Sequence, residues 1–188
     1  MQLFISHSSK DRDWVDQVQK RIEAAGAQAY LAEYDRSGVG HVLNDKLRSA
    51  IAASNAVVVL LTTNAATSPI VREEIGYALG LDKHVVPLVA PEVASSPAAL
   101  GMLNGLEYIP FDRDDYQEGL IQLTDVVNDL VKAEREESHQ EERAALTVQL
   151  VERDKVLTQL QSRNDSIQAL LILVGAIAVV AVMSRQSS

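Results

Sequence analysis

The sequence predicts an α/β fold, a parallel sheet with helices on both faces, followed by a helical stalk and a C-terminal transmembrane helix. Three observations carry that expectation. From Met1 to Val131, short β-type runs alternate with amphipathic helical stretches, the pattern of a sheet wound with crossover helices. Ala56–Leu61 is apolar on both faces, which suits the buried middle of a parallel sheet. After residue 131 the composition changes abruptly, first to charge and then to unbroken apolarity. The expected divisions are 1–131 for the globular domain, 132–165 for the stalk and 166–188 for the anchor.

Each element has its own signal. Leu3-Phe4-Ile5 opens as a strand, and Trp14, Val15, Val18 and Ile22 follow at helical spacing until Gly26. Ala29-Tyr30-Leu31 reads as a second strand, Asp35–Gly40 as a loop, and Leu43, Leu47, Ala50 and Ile51 as a helix. Ser68-Pro69 is an N-cap followed by proline at the first helical position, opening a helix to about Gly80. His84–Val89 is a fourth strand, in which Pro87 suggests a strand end or an exposed edge. Glu107–Phe111 is a short fifth strand, and Leu120, Leu123, Val127 and Leu130 mark a packed closing helix.

In the stalk, Leu146, Leu150, Leu157 and Leu160 fall at heptad seam positions interrupted by Arg153. A solvated helix and a parallel coiled coil both fit that pattern. Ile167–Met183 has Gln168 as its one polar side chain. As a helix this run measures roughly 25 Å, slightly under the ~30 Å hydrocarbon core of a bilayer. Arg163 and Arg185 flank it and suit snorkelling. Because few residues follow, the globular domain is expected to remain in the cytoplasm, held to a membrane by a single-pass C-terminal anchor.

Composition narrows the function classes. The chain has 188 residues, a net charge of −9 and no cysteine. A disulfide framework and a thiolate metal site are thereby excluded, and the acidic balance argues against a nucleic-acid partner. Met1–Ser6 lacks the basic flank and long apolar core of a secretory signal. His7, His41, His84 and His139 are too scattered to suggest a metal site. Candidate chemistry lies in two segments. Ser6-His7-Ser8-Ser9-Lys10-Asp11 places small polar residues at the carboxyl end of the first strand, where open α/β sheets bind ligands. Capping of the next helix is the simpler role for Ser8, Ser9 and Asp11. On the helix after Ser68, Val71, Ile75, Ala78 and Leu79 define a core-facing stripe, and Glu73 points away from it. Glu74 falls at the core boundary with Ile70 and Tyr77. Such a carboxylate either pairs with a surface cation or holds a sugar and offsets the positive charge that develops in glycosidic cleavage.

Taken together, Phe4–Asp11, Asp35–His41, Ser68–Ala78 and Lys83–Leu88 resemble, in order and spacing, the signature segments of bacterial TIR domains. The resemblance implies a flavodoxin-like five-stranded sheet. It implies an NAD+ glycohydrolase or ADP-ribosyl cyclase that cleaves the nicotinamide–ribose bond, with NAD+ as substrate and no cofactor or metal. The family's catalytic glutamate corresponds to Glu74, and its pocket places Ser6, Ser8 and Asp35 near the dinucleotide. Tyr30 and Tyr34 are candidates for stacking, although strand alternation aims only one face at a pocket. Active members often carry Trp where this chain has Ile70, which keeps an apolar wall without a stacking ring. Homo-oligomerisation with other TIR domains and a role in bacterial antiviral defence or cell-death signalling are also implied. A non-enzymatic membrane-tethered adaptor and a nucleoside deoxyribosyltransferase are the competing readings.

Overall fold

The computed structural model describes residues 1–31 and 42–186, with side chains throughout except at 42–44, 169, 171 and 174–186. Five parallel strands form one sheet in the order β2-β1-β3-β4-β5: β1 Gln2–Ser6, β2 Gln28–Leu31, β3 Ala56–Leu61, β4 His84–Val89 and β5 Ile109–Pro110. The connecting helices are α1 Arg12–Ala24, α2 Val42–Ala53, α3 Thr63–Ala66, α4 Pro69–Gly80, α5 Pro91–Ala94, α6 Pro97–Leu100 and α7 Tyr116–Gln186. This strand order is the flavodoxin-like one, and the winding reverses between β1 and β3.

Strand alternation sorts the core into two halves. Leu3 and Ile5 of β1 join Val58, Leu60, Val86 and Leu88 against α1 and the first turns of α7. Phe4 joins Val57, Val59 and Leu61 on the opposite face, against Leu47 and Ile51 of α2 and Val71, Ile75 and Ala78 of α4. All six residues of β3 are buried, as the uninterrupted apolar run requires of a central parallel strand. Ring packing among Trp14, Phe111 and Tyr116 closes the first half beside β5.

The capping signals work as the sequence suggests. Ser68 Oγ accepts from Val71 N at 3.4 Å, and Pro69 occupies the first turn of α4. At the other end, Asp82 N donates to Leu79 O and Lys83 N to Ala78 O, the paired bonds of a Schellman turn. Asp82 carries the left-handed φ of 53° that such a turn demands. Lys83 then crosses to the end of α2, where its Nζ donates to Ala52 O and Ser54 O, both at 2.7 Å.

Two strand expectations need correction. Pro87 marks neither a strand end nor an exposed edge; it is buried inside β4, opposite Val59. The missing N–H is tolerated because β5 pairs only with the next two residues, Leu88 and Val89. β5 itself is shorter than Glu107–Phe111, since Pro110 brings no ladder donor and Tyr108 turns outward to solvent. The one-turn helices α3, α5 and α6 are too brief for hydrophobic periodicity to reveal.

Residues 1–135 and 136–188 form two compact units. The described residues of the second are helical, and its described apolar side chains between Leu146 and Leu173 are exposed. Among the described residues no helix is long and apolar enough to cross a membrane. The run expected to form an anchor, Ile167–Met183, falls largely where side chains lie outside the described residues.

Candidate functional site

The last residue of β1 faces α4. Phe4 and Ser6 share a side of the strand by alternation, and Phe4 packs in the α2/α4 half of the core. Ser6 is 0% exposed and Glu74 4%. Ser6 Oγ donates to Glu74 Oε2 at 2.6 Å, joining residues far apart in the chain. A short hydrogen bond to a carboxylate in buried surroundings fixes that side chain and offsets part of its desolvation. Glu74 lies deeper than the core-boundary position its own helix suggests. The helical wheel omits α2, which packs beside α4 and covers it. Glu73, the adjacent carboxylate, is exposed.

Glu74 is nonetheless not sealed away. It borders a small recess of about 30 Å³ between α2 and α4, lined by Leu47, Arg48, Ile51, Ile70, Glu73, Glu74 and Tyr77. Arg48 lies over the Tyr77 ring, 5.5 Å from its centroid, at the rim of this recess. Ile70 is exposed there and supplies an apolar wall. Tyr30 is on the same face of the sheet, stacked against Phe4 with centroids 6.0 Å apart. Ser8 is buried and caps the 3-10 turn Ser9–Asp11 by accepting from Lys10 N at 3.4 Å, the simpler of its two expected roles. Tyr34, Asp35 and the loop Asp35–His41 lie outside the described residues.

A second polar cluster stands at the same reversal of strand order, and sequence reasoning missed it. Asp11, 2% exposed, accepts from Thr62 Oγ1 at 2.5 Å, Asn64 Nδ2 at 2.8 Å and Arg113 Nη2 at 3.3 Å. Although it occupies the cap position of α1, it makes no cap bond. This carboxylate ties the loops after β1, β3 and β5 together at the carboxyl edge of the sheet. The available signal was the polar run Thr62-Thr63-Asn64 directly after a wholly apolar strand. His7, between the two clusters in sequence, is held below its ordinary pKa by burial. The bond between its Nδ1 and Ile5 O at 3.1 Å, together with the charge of Asp11, pulls the other way.

A wider concavity than the recess at Glu74 is elsewhere, between the open half of β4, β5 and α7, with Leu106, Tyr108, Val126 and Leu130 in its walls. Asp82, His84, Glu107 and Asp129 of its lining are exposed, and Lys83 is half-buried. No buried carboxylate faces it among the described residues, so the smaller recess at Glu74 is the better candidate for chemistry.

Comparison with known proteins agrees with this architecture. The family model described as TIR domain matches residues 3–124. No curated protein matches the chain in sequence. Among solved structures, the TIR domain of a Toll-related receptor from Hydra magnipapillata superposes with a TM-score of 0.52 at 19% identity, covering 68% of this chain and 96% of that one. A CMP N-glycosidase from Clostridium botulinum gives 0.50 at 15%, covering 65% and 97%. A prokaryotic SEFIR domain gives 0.50 at 14%, covering 67% and 91%. At these identities the likeness is one of fold.

Proposed function

The chain belongs to the TIR domain family, and from that premise we propose that it is an NAD+ glycohydrolase with Glu74 as its catalytic carboxylate. The observation that carries the proposal is the 2.6 Å bond from Ser6 Oγ to Glu74 Oε2, made at the reversal of strand order and on the wall of a recess. Open α/β sheets receive their ligands at that place.

In this reading the ribose next to nicotinamide approaches Glu74. The carbon–nitrogen bond breaks with its electron pair, and nicotinamide, cationic in NAD+, departs neutral. The positive charge left on the sugar ring is offset by the Glu74 carboxylate, which Ser6 holds in one orientation. Water then bonds to the anomeric carbon and loses a proton, giving ADP-ribose. Capture by an adenine nitrogen instead gives a cyclic isomer. Ile70 lines the approach with an apolar surface but offers no ring for stacking. Ser8 and Asp35 are assigned to the dinucleotide by the family resemblance alone.

Glu74→Gln keeps an oxygen to accept from Ser6 and removes the charge. Nicotinamide release should fall by at least ~100-fold while the melting temperature changes little. Undiminished release would refute the assignment. A wild-type chain that releases no nicotinamide under dilute or clustered conditions would favour the adaptor reading. The same chemistry serves other N-glycosides, and a CMP N-glycosidase shares the fold, so CMP belongs in the substrate panel beside NAD+. We further propose that the apolar run at 169–183 holds the domain at the cytoplasmic side of a membrane, in a setting of antiviral defence or cell-death signalling.

A further inference from the structure

We propose that the helical segment Leu146–Ile167 pairs with a second copy of this chain as a parallel, in-register two-stranded coiled coil, with Asn164 as its register-setting layer. In the structure this segment is helical throughout and its side chains are exposed. Leu146, Leu150, Leu157, Leu160 and Ile167 are each more than half exposed. A stripe of that kind asks for a covering surface.

Its spacing says what kind of surface. From Leu146 the seam runs through Leu150, Arg153, Leu157, Leu160, Asn164 and Ile167 in strict alternation of four and three residues. A period of 3.5 held over three heptads keeps facing a partner only when two helices wind round each other. A helix lying on a globular body or a lipid surface follows 3.6 residues per turn, with a wider apolar arc.

The two polar seam positions specify the partner and its direction. In heptad terms Leu150, Leu157 and Asn164 are at a, and Leu146, Arg153, Leu160 and Ile167 at d. An asparagine at a is satisfied when it meets the amide of another asparagine. With a second copy this happens only if the chains run parallel and in register. Reversed or slipped, Asn164 no longer meets its own copy, and against the leucine and isoleucine layers its amide is left unpaired. Arg153 at d meets its own copy, but the partner's Asp154, at the e position flanking that layer, carries the opposite charge. The interchain g-to-e pairs in this arrangement, Gln149–Asp154, Val156–Gln161 and Arg163–Gln168, contain no like charges.

The absence of cysteine makes the test direct. A disulfide needs Cα atoms roughly 4.4–6.8 Å apart, so a single introduced cysteine cross-links efficiently only where it faces its own copy. The full chain, in mild detergent, would carry Leu157→Cys or Leu150→Cys at a, or Lys155→Cys at the outward f position, in a glutathione redox buffer. Both a-position variants should form disulfide dimers at least tenfold faster than Lys155→Cys, and each should do so with itself. Equal rates at a and f would overturn the proposal. Cross-linking of Leu150→Cys with Leu160→Cys in preference to either alone would overturn it too, by showing antiparallel chains, in which a meets d. Asn164→Leu should strengthen association yet erode the contrast between a and f, since the register is then unspecified. An unchanged contrast would remove Asn164 from its assigned role.

Discussion

His7 is a charge-averse imidazole in a half-buried position, and its effect on stability has a definite sign. Burial disfavours the imidazolium, so its folded-state pKa lies below the unfolded value of ~6.5. Between those two values the unfolded chain binds the proton more readily than the folded one. The site's contribution is therefore complete above about pH 6.5 and is lost as pH falls below it. Urea midpoints measured from roughly pH 7.5 down to 5 should decline more steeply for the wild type than for His7→Asn. Identical slopes would remove His7 as the source. Residue-scale chemistry was only half legible in the sequence. Glu74 was visible as the odd carboxylate on an apolar stripe, but its burial depends on α2, which no single-helix projection contains. Asp11 was hidden because its partners Thr62, Asn64 and Arg113 are distant in the chain and carry no periodic signal.

At the scale of elements, periodicity and punctuation located the long helices and central strands, while close approaches between elements stayed invisible. Gly119 illustrates the difference. Within a helix, Gly→Ala ordinarily gains about 1 kcal/mol of stability. Here a Cβ on Gly119 would stand 2.5 Å from Pro110 O, because the first turn of α7 runs against the backbone of β5. Gly119→Ala should reverse the usual sign and lower unfolding free energy by about 1–3 kcal/mol. Chemical denaturation measures this, and a stabilised variant would mean that α7 and β5 separate freely. Gly76 is a milder case, since a Cβ there meets Met102 Cε at 3.3 Å, the end of a flexible side chain. β5 is a related lesson. Its apolar residues announced a strand, but Pro110 limits pairing to two positions.

The whole molecule divides where its composition changes, and each unit answers to a different physics. Residues 1–135 bury two apolar layers on a twisted sheet, whereas the described part of 136–188 keeps its apolar stripe outside. If the C-terminal run anchors the chain, the intact protein should float with phosphatidylcholine vesicles after a carbonate wash, and removal of residues 166–188 should release it. An intact protein left in the soluble fraction would refute the tether. Lys83 gives the globular unit a mechanical property that its fold class does not. By gripping the last carbonyls of α2 from the foot of β4, it joins the two helices that line the recess at Glu74, at the end opposite the strand tips. The pair is thus clasped at one end. The clasp sits within a turn or two of Tyr77, so the wall of the recess nearest the strand feet is tied down by backbone carbonyls as well as by packing.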